Sequence, residues 1–233
     1  MIALADKTVL VTGGRRGLGS ALVDAVLKRG ARAVHSTARS PYDDARANVV
    51  THILDVRSQK SVEDLAAALP EVDIVINNSG VLVPAPLLTG DFADFVDTFE
   101  VNAFGPLRVV RAFAPVLASH GGGAVVNIHS LFSWLAGAGS YGASKAAIWS
   151  LTNSLRIELE AQHTHVLGVH AGFIDTEMVT AMDLPKSGPA DVATRILDAL
   201  EAGEVEVSTD ETTVKAKSIL AGPVQDLTFS FAQ

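Results

Sequence analysis

Short apolar, β-branched runs alternate along the chain with longer segments whose apolar residues recur at helical spacing. Thr8–Val11, Ala33–Ala38, Val49–Leu54, Val72–Asn77, Ala124–Ile128, Val166–His170 and a short Val205–Val207 read as strands. Between them, Gly17–Arg29 carries Leu18, Leu22, Val26 and Leu27 on one helical stripe, with Gly30 placed as a C-terminal cap. Ser61–Leu69 reads as a helix, with Ser61 and Asp64 in capping-box positions and Pro70 as its stop. Phe92–Ala118 is helical by pattern, with a break or kink expected at Gly105-Pro106. Tyr141–Ala161 places Ile148, Leu151, Leu155 and Leu159 on one face, and Ala190–Leu200 is a further helix. Thr213–Leu220 has the composition of one more helix. Strand and helix alternating to the end predict an α/β fold, a doubly wound parallel sheet of about seven strands covered by helices on both faces.

Composition narrows the function classes. The chain has 233 residues, 48% of them hydrophobic and 19% charged, which excludes a disordered chain and suits one domain spanning 1–233. It has no cysteine, so disulfides and thiolate chemistry are excluded. The mean hydropathy of +0.30 is high, yet no run approaches 18 consecutive apolar residues. Strands buried on both faces explain the value better than a membrane span. A formal net charge of -8 argues against general nucleic-acid binding. The first ten residues run directly into a strand without a signal-peptide pattern, so the expected location is cytoplasmic. No histidine group has metal-ligand spacing, and no metal is expected.

Candidate chemistry begins after the first strand, at Thr12-Gly13-Gly14-Arg15-Arg16-Gly17-Leu18-Gly19. Glycines at 13, 17 and 19 let a backbone turn tightly and approach a pyrophosphate, and the helix they open offers free N–H donors. This position at a strand-to-helix junction predicts Rossmann-type dinucleotide binding. The second strand ends at Ala38, where an acidic residue would bond an unphosphorylated ribose. Arg39 follows instead, and Arg15 and Arg16 lie in the turn. Guanidinium groups bond phosphate bidentately, so the expected cofactor is NADP(H) rather than NAD(H). Three solvated arginines is the alternative.

Tyr141 and Lys145 stand four apart on a helix and share a face. A cation beside a phenol lowers its pKa from about 10, which would make the tyrosine an acid/base. Ser130 ends the fifth strand, where open α/β sheets bind ligands.

In these motifs the sequence resembles the short-chain dehydrogenase/reductases of the compact, single-domain type. Over about residues 7–178 the matching segments are the glycine turn Thr12–Gly19, Asp55-Val56, Asn77-Asn78-Ser79-Gly80, Asn102-Ala103-Phe104-Gly105, Ser130, Tyr141-Gly142-Ala143-Ser144-Lys145 and Ala171-Gly172-Phe173-Ile174-Asp175-Thr176. The resemblance implies that Tyr141 is the general acid in carbonyl reduction and that Ser130 bonds the same oxygen. It implies that Lys145 binds the nicotinamide ribose, and that Asn102 holds a relay water linking Lys145 to solvent. Asp55 and Val56 would contact the adenine, Asn78 and Gly80 the cofactor near its ribose. Gly172 belongs to the motif whose Ile174 and Thr176 would hold the carboxamide.

Three departures stand out. Ser130 lies about two residues closer to Tyr141 than is common, which leaves Ser133 as a rival. Ser79 and Ala171 replace the usual alanine and proline.

The resemblance also places substrate loops at about 81–90, 131–140 and 173–189. Phe132, Trp134, Leu135, Phe173 and Met178, with Val81, Leu82 and Met182, would then form an apolar lining for a hydrophobic aldehyde or ketone. The segment 177–189 is short for a lid, which implies an open site. A homodimer or homotetramer is implied through the helix of Tyr141 and the one before the fifth strand; Ala146, Trp149 and Leu151 would then be partly interfacial, with core against the sheet as the alternative. A catalytically silent NADPH sensor on the same fold is the second reading. A sugar-nucleotide epimerase is a third, disfavoured because about 57 residues follow Thr176.

Overall fold

The computed structural model describes residues 2–83 and 86–229. Among the described residues seven strands form one parallel sheet: β1 Thr8–Val11, β2 Ala33–Ala38, β3 Val49–Ile53, β4 Ile74–Asn77, β5 Gly123–Ile128, β6 Thr164–His170 and β7 Glu206–Ser208. Their order is β3-β2-β1-β4-β5-β6-β7. The helices are α1 Gly17–Lys28, α2 Gln59–Ala68, α3 Phe92–Phe99, α4 Gly105–Ser119, α5 Gly139–Glu158, α6 Pro189–Ala202 and α7 Glu211–Ser218.

β1 and β4 are buried at every position, as the unbroken runs TVLV and IVIN require in a sheet covered twice. On one face α1 and α6 bury Leu22, Val26, Ile196 and Leu197 against the sheet. On the other, α2 and α4 bury Val62, Leu65, Val109 and Phe113, and α4 with α5 adds Leu117 and Leu155. Burying one such side chain is worth about 1.5–3 kcal/mol, so the two layers together define the fold. The strand order reverses between β1 and β4, and a crevice opens outside their carboxyl ends.

The helix expected over Phe92–Ala118 is three pieces. A π-helical stretch Glu100–Phe104 separates α3 from α4, so the disturbance begins five residues before the Gly105-Pro106 pair. Pro106 then fits the first turn of α4, where no N–H is needed. The cap of α2 is Ser58, not Ser61: Ser58 Oγ accepts from Ser61 N at 3.2 Å. Ser61 Oγ accepts instead from the N–H of Asp55. The segment after Asp210 does form α7, because Asp210 Oδ1 accepts from Thr213 N at 2.9 Å. Beyond it, Val224–Asp226 makes one 3₁₀ turn.

Candidate active site

A cleft of about 850 Å³ lies outside the carboxyl ends of the central strands. The glycine turn forms its floor. α1 begins at Gly17 behind Arg16, whose side chain makes no capping bond, so the first N–H groups of the helix carry no side-chain acceptor. Gly19 is required by close approach, since a Cβ there would sit 2.1 Å from the carbonyl oxygen of Gly13. Asn78 holds the turn from β4: its Nδ2 donates to the Thr12 and Gly13 carbonyls at 3.0 and 3.2 Å. Gly13, Leu18, Val56, Asn78, Gly80, Gly172, Ile174 and Thr176 all line this cleft.

The arginines divide. Arg15 Nη1 donates to Ser40 Oγ at 3.2 Å, and Arg39 lines the same end. Tyr42, which the sequence leaves in a polar loop, lies beneath Arg15 with its ring centroid 5.7 Å from the guanidinium carbon. Arg16 instead pairs across the cleft with Glu177. Asp55 is gripped bidentately by Arg57, at 3.0 and 2.8 Å, which holds its carboxyl below the usual range.

The inner end carries the hydroxyl, phenol and ammonium groups. Ser130 is the residue that turns into the cleft. Ser133 Oγ faces away, accepting from Ser130 N at 3.3 Å and donating to the Lys145 carbonyl at 3.1 Å. Burial dominates at Tyr141 and pushes its phenol above the ordinary value, against the lowering influence of the Ser130 hydroxyl. The expectation that Lys145 lowers the Tyr141 pKa is thus corrected. Lys145 Nζ donates to the Ile128 carbonyl at 2.9 Å and stands 5.8 Å from the Tyr141 ring centre. Burial lowers the Lys145 ammonium itself to about 8.

Asn102 does not reach the cleft. It sits on the π stretch, with Nδ2 donating to the Val81 carbonyl and Ser144 Oγ, and Oδ1 accepting from Val81 N. Its side chain clips the β4–α3 loop to α5. π turns recur at functional sites because they break helical bonding locally.

On the substrate side, Phe132, Phe173 and Met178 line the cleft, as do Val81, Leu82 and Met182. Trp134 and Leu135 do not. Trp134 is buried, stacked on His170 at 3.7 Å between ring centres, with Lys217 over its ring at 5.6 Å. Leu135 is buried in the cluster formed with Ala216 and Leu131. Both lie behind the wall. Two positions of the 81–90 loop, 84 and 85, lie outside the described residues.

Several supporting residues carry no sequence signal. His170 Nδ1 lies 3.2 Å from the Ser130 carbonyl and must donate there, because a carbonyl only accepts. Its Nε2 faces His129 Nδ1 at 3.2 Å, and burial holds His170 neutral down to about 3. Asp210 Oδ2 accepts from Gly172 N at 2.8 Å, tying α7 to the motif entering the site. Among the described residues no group of three or more His, Asp or Glu is placed to hold a metal. No helix among them is long and apolar enough to cross a membrane.

Comparison with known proteins agrees with this geometry. Residues 7–186 match the family model for short chain dehydrogenases. A solved short-chain dehydrogenase from Burkholderia cenocepacia, in complex with NADP, superposes with a TM-score of 0.92 at 34% identity, over 97% of each chain. An uncharacterized oxidoreductase of Staphylococcus saprophyticus is 28% identical over 92% of this chain and 99% of its own. Sulfoacetaldehyde reductase 2 of Chromohalobacter salexigens is 32% identical over 84% of each. The chain belongs to the short-chain dehydrogenase/reductase family. It is an oxidoreductase of the CH–OH/carbonyl couple that works with a nicotinamide cofactor.

Proposed function

We propose that the protein is an NADPH-dependent reductase of hydrophobic aldehydes or ketones, working reversibly from a single domain, 1–233. The observation that carries this reading is the pairing, in one cleft, of Ser130, Tyr141 and Lys145 at one end with Arg15, Arg39 and Ser40 at the other. The residues fit a dinucleotide: an uncapped helix start faces the middle of the cleft, and two guanidinium groups stand where a 2′-phosphate would lie. The NADP bound by the Burkholderia relative supports the same choice.

Gly13, Arg16, Gly17, Leu18 and Gly19 would hold the pyrophosphate, Asp55 and Val56 the adenine, and Asn78 and Gly80 the ribose. Gly172, Ile174 and Thr176 would hold the carboxamide. When bound, the nicotinamide supplies the hydride. Tyr141 donates its phenolic proton to the substrate oxygen, and Ser130 donates a hydrogen bond to that oxygen. Burial raises the Tyr141 pKa and so keeps the phenol protonated, the form an acid needs. Lys145 would bind the nicotinamide ribose and reload Tyr141, and Asn102 would brace this end by clipping the β4–α3 loop to α5.

The apolar wall favours a substrate without a carboxylate or sulfonate, because Phe132, Phe173, Met178 and Met182 offer no cation to such a group. The reading includes a cytoplasmic location and a homodimer or homotetramer. Support for the oligomer is the apolar surface of α3 and its flank, where Leu88 and Phe92 are 98% and 74% exposed. A silent sensor has no use for Tyr141 and Ser130 turned into the cleft.

The test follows reduced-nicotinamide absorbance with NADPH and NADH in parallel, over aldehydes, ketones and alcohols. The expected result is turnover with NADPH on hydrophobic carbonyls. A clear NADH preference sinks the cofactor choice, and preference for carboxylated carbonyls sinks the substrate class.

A further inference from the structure

The segment after α7 has no role in the reading above, yet it runs directly behind the substrate wall. Ala136 N donates to the Leu227 carbonyl at 2.8 Å, and Phe229 N donates to the Ala136 carbonyl at 3.0 Å. The two segments form a single parallel bridge at Ala136 and Thr228. Gly137 makes this docking possible: its φ is +117°, and a Cβ would lie 2.6 Å from the Phe229 carbonyl oxygen. Among the described residues, the docked segment delivers the ring of Phe229. Phe229 stands edge-to-face with Phe132, centroids 5.4 Å apart, and tilted against Phe173 at 5.5 Å. Phe132 and Phe173 line the cleft and meet each other at 6.0 Å, and Phe132 meets Tyr141 at 6.3 Å. The three phenylalanines form a triangle with two corners in the cleft and one outside it.

The geometry points to Phe229 as a specificity-determining positioning residue: it fixes how far Phe132 and Phe173 stand into the cleft, and so the size of carbonyl substrate accepted. This rests on the proposed carbonyl reductase activity. Aromatic pairs of this kind are worth about 0.5–1.5 kcal/mol beyond area burial, enough to choose one ring position over its neighbours. Removing the Phe229 ring leaves space into which the two wall rings can withdraw. The pocket then widens toward bulky substrates, while the cofactor end is untouched. Among the described residues, the contacts of Asn78 and Arg15 are with the glycine turn and Ser40, not with this segment.

The experiment compares wild type, Phe229→Ala, Phe229→Leu and Gly137→Ala with NADPH against benzaldehyde and 2-naphthaldehyde. NADPH affinity is measured separately by fluorescence. In Phe229→Ala the ratio of kcat/KM for naphthaldehyde over benzaldehyde is expected to rise about 10-fold, the scale set by small volume changes in an apolar pocket. The dissociation constant for NADPH is expected to stay within twofold, roughly the scatter of additive distant sites. Gly137→Ala should move the ratio in the same direction, because its methyl displaces the segment without removing a ring. Phe229→Leu keeps the test open if Phe229→Ala does not fold, and should show a smaller rise. An unchanged ratio in folded variants overturns the inference alone. Equal losses on both aldehydes and on NADPH binding also overturn it, because they mark a merely structural role. A wild type that binds NADPH but turns over neither aldehyde overturns the substrate reading, and this inference with it.

Discussion

The two ends of the cleft are built differently. The end proposed to hold the cofactor is made from the tips of β1, β2, β3 and β4, adjacent strands whose order reverses there. Each contributing residue follows its strand within a few positions: Gly13, Arg39, Asp55, Asn78. The substrate end is made where the 131–140 loop meets α7 and the segment at Leu227–Phe229. The first is fixed by the sheet itself, which must form for the protein to fold. The second is fixed by tertiary contacts between parts of the chain far apart in sequence. A site end built on the sheet is rigid and common to the fold, and one built on docked segments is free to vary with substrate.

Breaking the chemistry should have the largest effect. Tyr141→Phe removes the proton donor while keeping the ring against Phe132, so turnover should fall about 10²–10⁴-fold with NADPH affinity unchanged. Steady-state rates beside fluorescence titration check this, and full activity would overturn the assignment of Tyr141.

Next comes the cofactor end. Replacing Arg15 and Arg39 together by glutamine should weaken NADPH about 10–100-fold, on the scale of bonds to a charged group, and leave NADH nearly as before. Equal weakening of both would show that the arginines do not read the 2′-phosphate.

The acid–base prediction touches both ends. Lys145 has its pKa lowered by burial to about 8, so it is an ammonium below that pH and neutral above it. Carbonyl reduction that needs the ammonium should hold level below about pH 8 and decline about tenfold per unit above it. A pH profile of kcat/KM tests the sign, and Lys145→Arg, which does not titrate there, should lose this arm.

The smallest effect sharpens the contrast between the ends. Asp210→Asn weakens the bond that ties α7 to Gly172 and the cap of α7 together. A loss of about 1–3 kcal/mol in stability, read by denaturant melts, is expected, with selectivity shifting more than NADPH affinity. The opposite pattern would mean that the tail supports the cofactor end.

The cofactor end was legible in the sequence for the reason that makes it rigid. A glycine turn after a buried strand, and polar residues at strand tips, are local patterns with local causes. Tyr141 and Lys145 were legible because four residues make one helical turn. Trp134 and Leu135 were misplaced because sequence proximity to the cleft does not set which way a side chain turns. Trp134 packs on His170 and under Lys217 of α7, with Glu206 of β7 close to the imidazole. No spacing rule connects these positions. The lowering of the Tyr141 pKa was misjudged because adjacency to Lys145 was visible and the burial of both groups was not.

The π stretch at Glu100–Phe104 makes the chain length there a functional quantity. Each helical residue turns the axis by about 100°. Deleting one residue between 100 and 104 would let α3 and α4 run on as one regular helix, but every side chain before the cut would rotate by that angle. Asn102 would swing off Val81 and Ser144, and the β4–α3 loop would lose its clip to α5. Restoring regular helical hydrogen bonding in this stretch would therefore disassemble the site's link between sheet and catalytic helix.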